Sequence, residues 1–380
     1  MANNTHVPAE QLATDIADGV IDTVIVAFGD HQGRLVGKRT DGDFYLDVVA
    51  ALGTENCDYL IACDLDNTPI PGLRWASYDQ GYGDMRGVVD PTTIRYLPWS
   101  EATAVVLVDL LDVDTDEPVT VSPRRILQAQ VEAAAALGCT SKIGSEVEFF
   151  LFTHLVFKNA VKEIAALHGR SATFMAKPHF DDAGSSGHIH SSLWSADGAE
   201  SRVPGEDEHH LSDEFRWYLG GLMATARDFS LLFAPNVNSY KRFLPGSWAP
   251  TGIGWDTDNR TLGFRLVGHG AGTRIESRIP GADANPYHAF AATIAGGLHG
   301  IRERIEPPVP YHGNGYTATD LPRIPGTFVE AIELWRASEV ARAAFGDDVH
   351  HHVLTHAVFE WATFNATVTD WERRRYFERI

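Results

Sequence analysis

From Val20 to Phe28 and again from Gly33 to Lys38 the chain is dominated by apolar and β-branched residues. The polar Asp30-His31-Gln32-Gly33 between them reads as a hairpin turn. Arg95 to Pro98 and Ala104 to Leu111 form two more strand-like runs, so the first stretch of the chain reads as a small, mostly β unit. The pattern then changes period. Ser122-Pro123 precedes an Ala-rich run from Arg124 to Leu137 closed by Gly138, which supplies the N-cap, first-turn proline and terminal glycine of a helix. A domain junction is placed just before it, giving units 1–120 and 121–380. Beyond it, short strands alternate with amphipathic helices such as Glu208 to Phe229 and Tyr287 to Arg304, and the region from His351 to Ile380 reads as helical. The pattern as a whole is α+β, with no internal repeat.

Composition narrows the function. A formal net charge of −20 argues against wrapping nucleic acid, which needs a positive surface to displace counterions. No apolar stretch approaches the roughly 20 residues of a membrane span, and no secretory leader is visible. Cys57, Cys63 and Cys139 form no CxxC pair, which fits a reducing cytoplasm. The expected partners are therefore small molecules and further copies of the chain.

Three segments set polar groups at alternate positions. In a strand spanning Lys142 to Phe152, Glu146 and Glu148 would share one face and Val147 and Phe149 the other, a carboxylate pair suited to Mg²⁺ or Mn²⁺. His188, His190 and Ser192 repeat the spacing after the glycine-rich turn Gly184-Ser185-Ser186-Gly187. Arg274, Glu276 and Arg278 repeat it again, with Arg242, Arg260 and Arg265 close upstream. Carboxylates and imidazoles for metal and nucleotide, with planar guanidinium groups for phosphate, describe a phosphoryl-transfer site. Plainer readings exist for each segment: an edge strand, a core histidine pair and a salt-bridge ladder. His350-His351-His352 with His356, and Glu208-His209-His210, read instead as solvated helix faces. Neither a Walker loop nor a GxGxxG occurs, so any nucleotide is held another way.

In this order, Glu146-Val147-Glu148-Phe149-Phe150, Gly187-His188-Ile189-His190-Ser191-Ser192-Leu193-Trp194, Asn238-Ser239-Tyr240-Lys241-Arg242 and Arg274-Ile275-Glu276-Ser277-Arg278 resemble the glutamine synthetase superfamily. Asn285-Pro286-Tyr287 and Trp371-Glu372-Arg373 belong to the same pattern. The closest branch is that of the γ-glutamylpolyamine and γ-glutamylethanolamide synthetases. The resemblance implies a small amino-terminal β-grasp domain and a larger catalytic domain with a curved antiparallel sheet flanked by helices.

It also implies roles. Glu146, His188 and Glu276 would hold one divalent ion and Glu148 would contribute to a second; His190, Ser192 and Arg274 would contact ATP. Arg260 and Arg265 would grip the transferring phosphate as catalytic groups, and Gly184, Arg242 and Arg278 would bind glutamate. Asp84, or Asp79, would be the catalytic residue lent to a neighbouring subunit in a dodecamer of two hexameric rings.

Three departures shape the expected activity. Trp248 stands where the family's flap glutamate accepts a proton from ammonium, and Thr319 replaces the regulatory tyrosine. After Phe152 the family has about 70 further residues with two more metal-binding glutamates, and without them the Glu148 ion would lack oxygen ligands. The expected activity is thus an ATP-dependent ligase joining glutamate to a polyamine, ethanolamine or another monoamine, with Trp248 on the amine side. Glutamine synthesis from ammonia, and a silent structural or regulatory oligomer, are the alternatives.

Overall fold

The computed structural model describes residues 6–146, 151–181 and 183–379. The first sheet is built from β1 (Thr23–Gly29), β2 (Leu35–Asp41), β3 (Thr54–Cys57), β4 (Asp84–Tyr96) and β5 (Thr103–Asp112), in the order β2-β1-β5-β4-β3. Its middle strand β5 runs parallel to β1 and antiparallel to β4 and is buried continuously from Thr103 to Val108, as a strand covered on both faces must be. The expected hairpin is present, with β1 and β2 paired from Thr23↔Asp41 to Gly29↔Leu35.

The strand expected at Arg95 to Pro98 is in fact the end of the 13-residue β4. Pro91, which has no N–H to give the ladder, coincides with the register shift between Asp90 and Arg95, and that interruption hid the first half of the strand.

The second sheet contains β6 (Cys139–Ser145), β7 (Ile189–Ser195), β8 (Trp255–Thr257), β9 (Phe264–Val267) and β10 (Arg274–Ser277), in the order β6-β7-β10-β9-β8. All its pairs are antiparallel except β8 with β9. The strand expected to run from Lys142 to Phe152 is shorter. Its pairing with β7 stops at Ser145, although the Glu146 amide still donates to the His188 carbonyl at 2.8 Å, and a helix occupies Leu151–Leu167.

The helix placed at Pro123–Ala136 is observed, without a side-chain bond from Ser122. The helix expected from Glu208 begins at Asp213, because the Ser212 hydroxyl accepts from the Phe215 amide at 3.1 Å; Glu208, His209 and His210 lie in the turn before it. That helix crosses the buried Pro286–Glu303 helix at glycines. A Cβ on Gly221 would lie 2.2 Å from the Gly296 carbonyl, so only glycine permits the approach.

A further correction concerns His350, His352 and His356. On the helix Glu339–Ala366 they share a face with Val349, Val353 and Ala357 at a 3.6-residue period, and all six are buried. The imidazoles therefore belong to the apolar stripe and not to a solvated face. His350 stacks on Trp335 at 5.4 Å, and its Nε2 lies 2.7 Å from the Trp335 carbonyl.

Side-chain bonds tie the first sheet and its hairpin to later helices. Arg124, in the first turn of its helix, pairs with Asp109 at 2.7 Å and with Asp90. Asn285, capping the Pro286–Glu303 helix, donates to the carbonyls of Asp30 and His31, each at 3.0 Å.

Candidate active site

Adjacent strands of the second sheet bring the motifs together. Glu276 on β10 lies directly opposite His190 on β7 and Arg265 on β9. Its carboxylate is fully buried: Oε1 accepts from Arg278 Nη1, and Oε2 accepts from Arg265 Nη1 at 2.7 Å. His188 Nδ1 lies 3.2 Å from Glu276 Oε1 and also contacts Glu146 Oε2. Ligand atoms of Glu146, His190 and Glu276 all fall within 4.8 Å of one another. Both histidines therefore border the same carboxylates, His188 by hydrogen bonding and His190 by register.

Charge in this cluster is finely balanced. Burial pushes the Glu276 carboxyl up, but the Arg265 hydrogen bond and the Arg278 charge outweigh it and hold the group below the usual carboxylate value. Burial, reinforced by Arg278, lowers the His188 imidazole to about 3, and burial lowers His190 as well, so both are neutral at physiological pH and competent as ligands. His188 Nε2 is buried with no hydrogen-bond partner. The carboxylates of Glu146 and Glu276 with the neutral His190 imidazole fit a divalent cation, with His188 Nδ1 against both carboxylates and Arg265 and Arg278 balancing the buried one.

The remaining sequence candidates divide into two groups. Arg274 Nε donates to His190 Nδ1 at 3.1 Å, and buried Ser192 accepts from Trp194 Nε1 at 2.8 Å, so the three expected nucleotide contacts share β7 and β10. Arg242 is almost wholly buried, donates to Ser186 Oγ at 3.0 Å and to the Ile279 carbonyl, and its pKa is lowered to about 10 by burial. It packs so tightly on Gly184 that a Cβ there would lie 2.5 Å from Arg242 Cγ.

The segment between Arg242 and Trp248 is tied at both ends. Ser247 Oγ donates to the Arg242 carbonyl at 2.8 Å, and Arg278 Nη2 donates to the Trp248 carbonyl at 3.4 Å. Trp248 has φ 66° and its side chain is 67% exposed, so it does not pack beneath the flap. Arg260 lies exposed in the turn before β9. Asp84 begins β4 at an exposed position opposite Cys57, in the other sheet, and Asp79 lies on the short helical turn Tyr78–Gln80; neither joins the cluster within this chain. Glu148 lies outside the described residues.

Sequence reading missed Asp258, which holds the second arm of Arg265 at 2.6 Å, and Ser186, which orients Arg242. Asp258 follows β8 in a turn, where no periodicity marks it. A cavity of about 810 Å³ is lined by residues such as Gln32, Lys158, Asn238 and Glu360, and by none of Glu146, His188, His190 or Glu276. Convergence of titratable groups, and not volume, marks the candidate active site.

Comparison with known proteins identifies the family. Residues 153–376 match the glutamine synthetase catalytic domain. The chain is 41% identical to γ-glutamylethanolamide synthetase GlnA4 of Streptomyces coelicolor over 448 aligned positions, covering 98% of this chain and 96% of that protein. It is 31% identical to glutamate–isopropylamine ligase of a Pseudomonas species, covering 95% and 96%. Solved structures of GmaS, one without ligand and one with ADP, superpose with a TM-score of 0.83 at 23% identity, over 97% of this chain and 99% of theirs, which supports the fold. Among the described residues no helix is long and apolar enough to cross a membrane. With matched family residues over more than half its length and near full-length relatives above 30% identity, the chain belongs to the glutamine synthetase family of ATP- and metal-dependent carbon–nitrogen ligases.

Proposed function

We propose that the protein joins the γ-carboxylate of glutamate to a primary amine larger than ammonia, such as ethanolamine, a polyamine or a simple monoamine, in the cytoplasm. The observation that carries the amine preference is Trp248, held by its carbonyl to Arg278 beside Glu276 while its indole stands exposed. Ammonium must shed a proton before it attacks, a task suited to a carboxylate base. Indole accepts no proton, yet its face attracts an alkylammonium group by ~0.5–2 kcal/mol through cation–π contact.

Glu146, His188 and Glu276 would hold one Mg²⁺ or Mn²⁺, with Glu148 serving a second. Such ions, when bound, neutralise phosphate charge. His190, Ser192 and Arg274 would contact ATP, and Gly184, Arg242 and Arg278 would orient glutamate. The γ-phosphoryl group passes to the glutamate γ-carboxylate under Arg260 and Arg265. The amine then forms the C–N bond as the C–O bond to phosphate breaks and a proton leaves nitrogen. The domain division at 120/121 and a dodecamer of two hexameric rings, with Asp84 lent across the subunit boundary, complete the proposal.

Steady-state rates with ammonium, ethanolamine, putrescine, spermidine and isopropylamine, for the wild type and Trp248→Glu, test it. At least one amine should exceed ammonium in kcat/KM, and Trp248→Glu should gain ammonium use. A wild type that prefers ammonium to every amine refutes the amine assignment.

A further inference from the structure

The histidines on the buried face of the Glu339–Ala366 helix do not end in an apolar core. His352 and His356, one turn apart, meet His31 from the β1–β2 hairpin and His288 from the first turn of the Pro286–Glu303 helix. The His31 ring lies 5.0 Å from His288, 5.1 Å from His352 and 3.7 Å from His356, and the His352 and His356 rings are 4.5 Å apart. His288, His352 and His356 are 4%, 2% and 6% exposed.

This packing leaves His31 Nδ1, His288 Nε2, both nitrogens of His352 and His356 Nε2 buried without a hydrogen-bond partner. Buried polar atoms are ordinarily satisfied, and so many orphans on adjoining rings call for a shared partner. Ligand atoms of His31, His352 and His356 already lie within 4.8 Å of one another. Tetrahedral zinc at Zn–N ~2.0–2.1 Å sets its nitrogens about 3.3 Å apart, which the His31 and His356 rings, stacked at an interplanar angle of 15°, would reach by rotating off one another.

We propose that His31, His288, His352 and His356 form a binding site for one borderline transition-metal ion of the zinc type, separate from the carboxylate-based active site. Four imidazoles without a carboxylate suit Zn²⁺ and Co²⁺ and offer little to Mg²⁺ or Mn²⁺. Supporting groups are in place. Asn285 fixes the His31 backbone at 3.0 Å, and His356 is oriented by a hydrogen bond to the Ile61 backbone. An entry path is present too, because His31 and His356 line the 810 Å³ cavity, with Glu360 one helical turn beyond His356 at its wall. Burial keeps all four rings neutral, the form that binds metal. The ion would clamp the amino-terminal hairpin to two helices of the catalytic unit.

The test uses the full chain stripped with a chelator and titrated with Co²⁺ and Zn²⁺ in excess Mg²⁺. One Co²⁺ per chain should bind with the visible absorption of a tetrahedral nitrogen site, be displaced by Zn²⁺, and survive Glu146→Gln/Glu276→Gln. It should be lost, with at least a hundredfold weaker binding, in His352→Gln/His356→Gln and separately in His288→Gln, each checked for native circular dichroism. Absence of tight Co²⁺ binding by the wild type overturns the proposal. So does equal binding by folded His288→Gln, or loss of binding only in the Glu146/Glu276 variant.

Discussion

Replacing Glu276 by Gln tests whether the active-site cluster is held together by charge. The substitution keeps shape and volume but removes the anion between Arg265 and Arg278, and Arg278 has only 6% of its side chain exposed. Leaving one partner of a buried pair uncompensated costs ~3–5 kcal/mol. At ~2.1 cal/mol/K of unfolding entropy per residue, a chain of 380 residues loses ~0.8 kcal/mol per kelvin, so ion-free protein should melt ~4–6 °C lower. Differential scanning calorimetry measures this directly. Glu276→Gln/Arg278→Met should recover part of the loss, because removing both partners takes away the stranded charge. Mg²⁺ should raise the melting temperature of the wild type and not of Glu276→Gln. A single variant that melts with the wild type in the absence of ions would show that Glu276 is not the counter-charge holding these arginines.

Other outcomes can be checked independently. Gly184→Ala forces a methyl group against Arg242 Cγ and Cδ, at 2.5 and 2.8 Å, and should destabilise by ~1–3 kcal/mol while raising KM for glutamate more than KM for ATP. Acid should destabilise the chelator-stripped protein unusually early. Folded His288 and His356 titrate near 4 and 3 and His352 well below its usual value, all driven down by burial. Since the unfolded rings take up protons near 6.5, stability is intact above that pH and lost as pH falls toward the folded values, by up to ~4 kcal/mol per pH unit for the three together. A melting temperature flat from pH 7 to 5, or the same slope in His352→Leu/His356→Leu, contradicts this. Intact-mass measurement of the natural protein addresses the family segment expected after Phe152: a mass near 41.7 kDa means that the segment is deleted, and a larger mass that the natural chain carries it.

Local periodicity made much of the candidate site's strand framework legible. The i, i+2 spacing at His188/His190 and at Arg274/Glu276/Arg278 marked two strands correctly, and Arg242 and Arg265 stood out by chemistry. The cross-strand neighbours did not. Glu276 meets Arg265 because β10 pairs with β9, a long-range choice that no local window contains. Pro91 split β4 into what read as only its last residues, and the Ser212 cap, a few residues after Glu208, set the true start of a helix. His352 and His356 were misread for a different reason. Histidine was weighed as a polar residue, whereas its positions follow the same helical period as Val349 and Val353 and so turn inward.

The two polar clusters are ends of one continuous piece of backbone. Glu276 lies next to last in β10, Arg278 follows the strand, and Ile279 to Asn285 runs largely buried to the cap of the helix that carries His288. That connection is fixed at several points: the Ile279 carbonyl accepts from Arg242, the Gly281 amide donates to the Phe233 carbonyl at 3.1 Å, and the Ala282 carbonyl accepts from Lys158 at 3.1 Å. Asn285 then holds the hairpin bearing His31. Each cluster solves burial differently. Around Glu276 a buried anion is neutralised by the guanidinium groups of Arg265 and Arg278. Around His352 the groups are neutral and their nitrogens unsatisfied, so nothing but an ion or ordered water meets their demand, and such a partner has no reason to leave. One sequence-adjacent segment thus links a carboxylate-rich cluster, suited to a hard divalent ion, at its strand end to the imidazole cluster proposed for a borderline ion at its helix end.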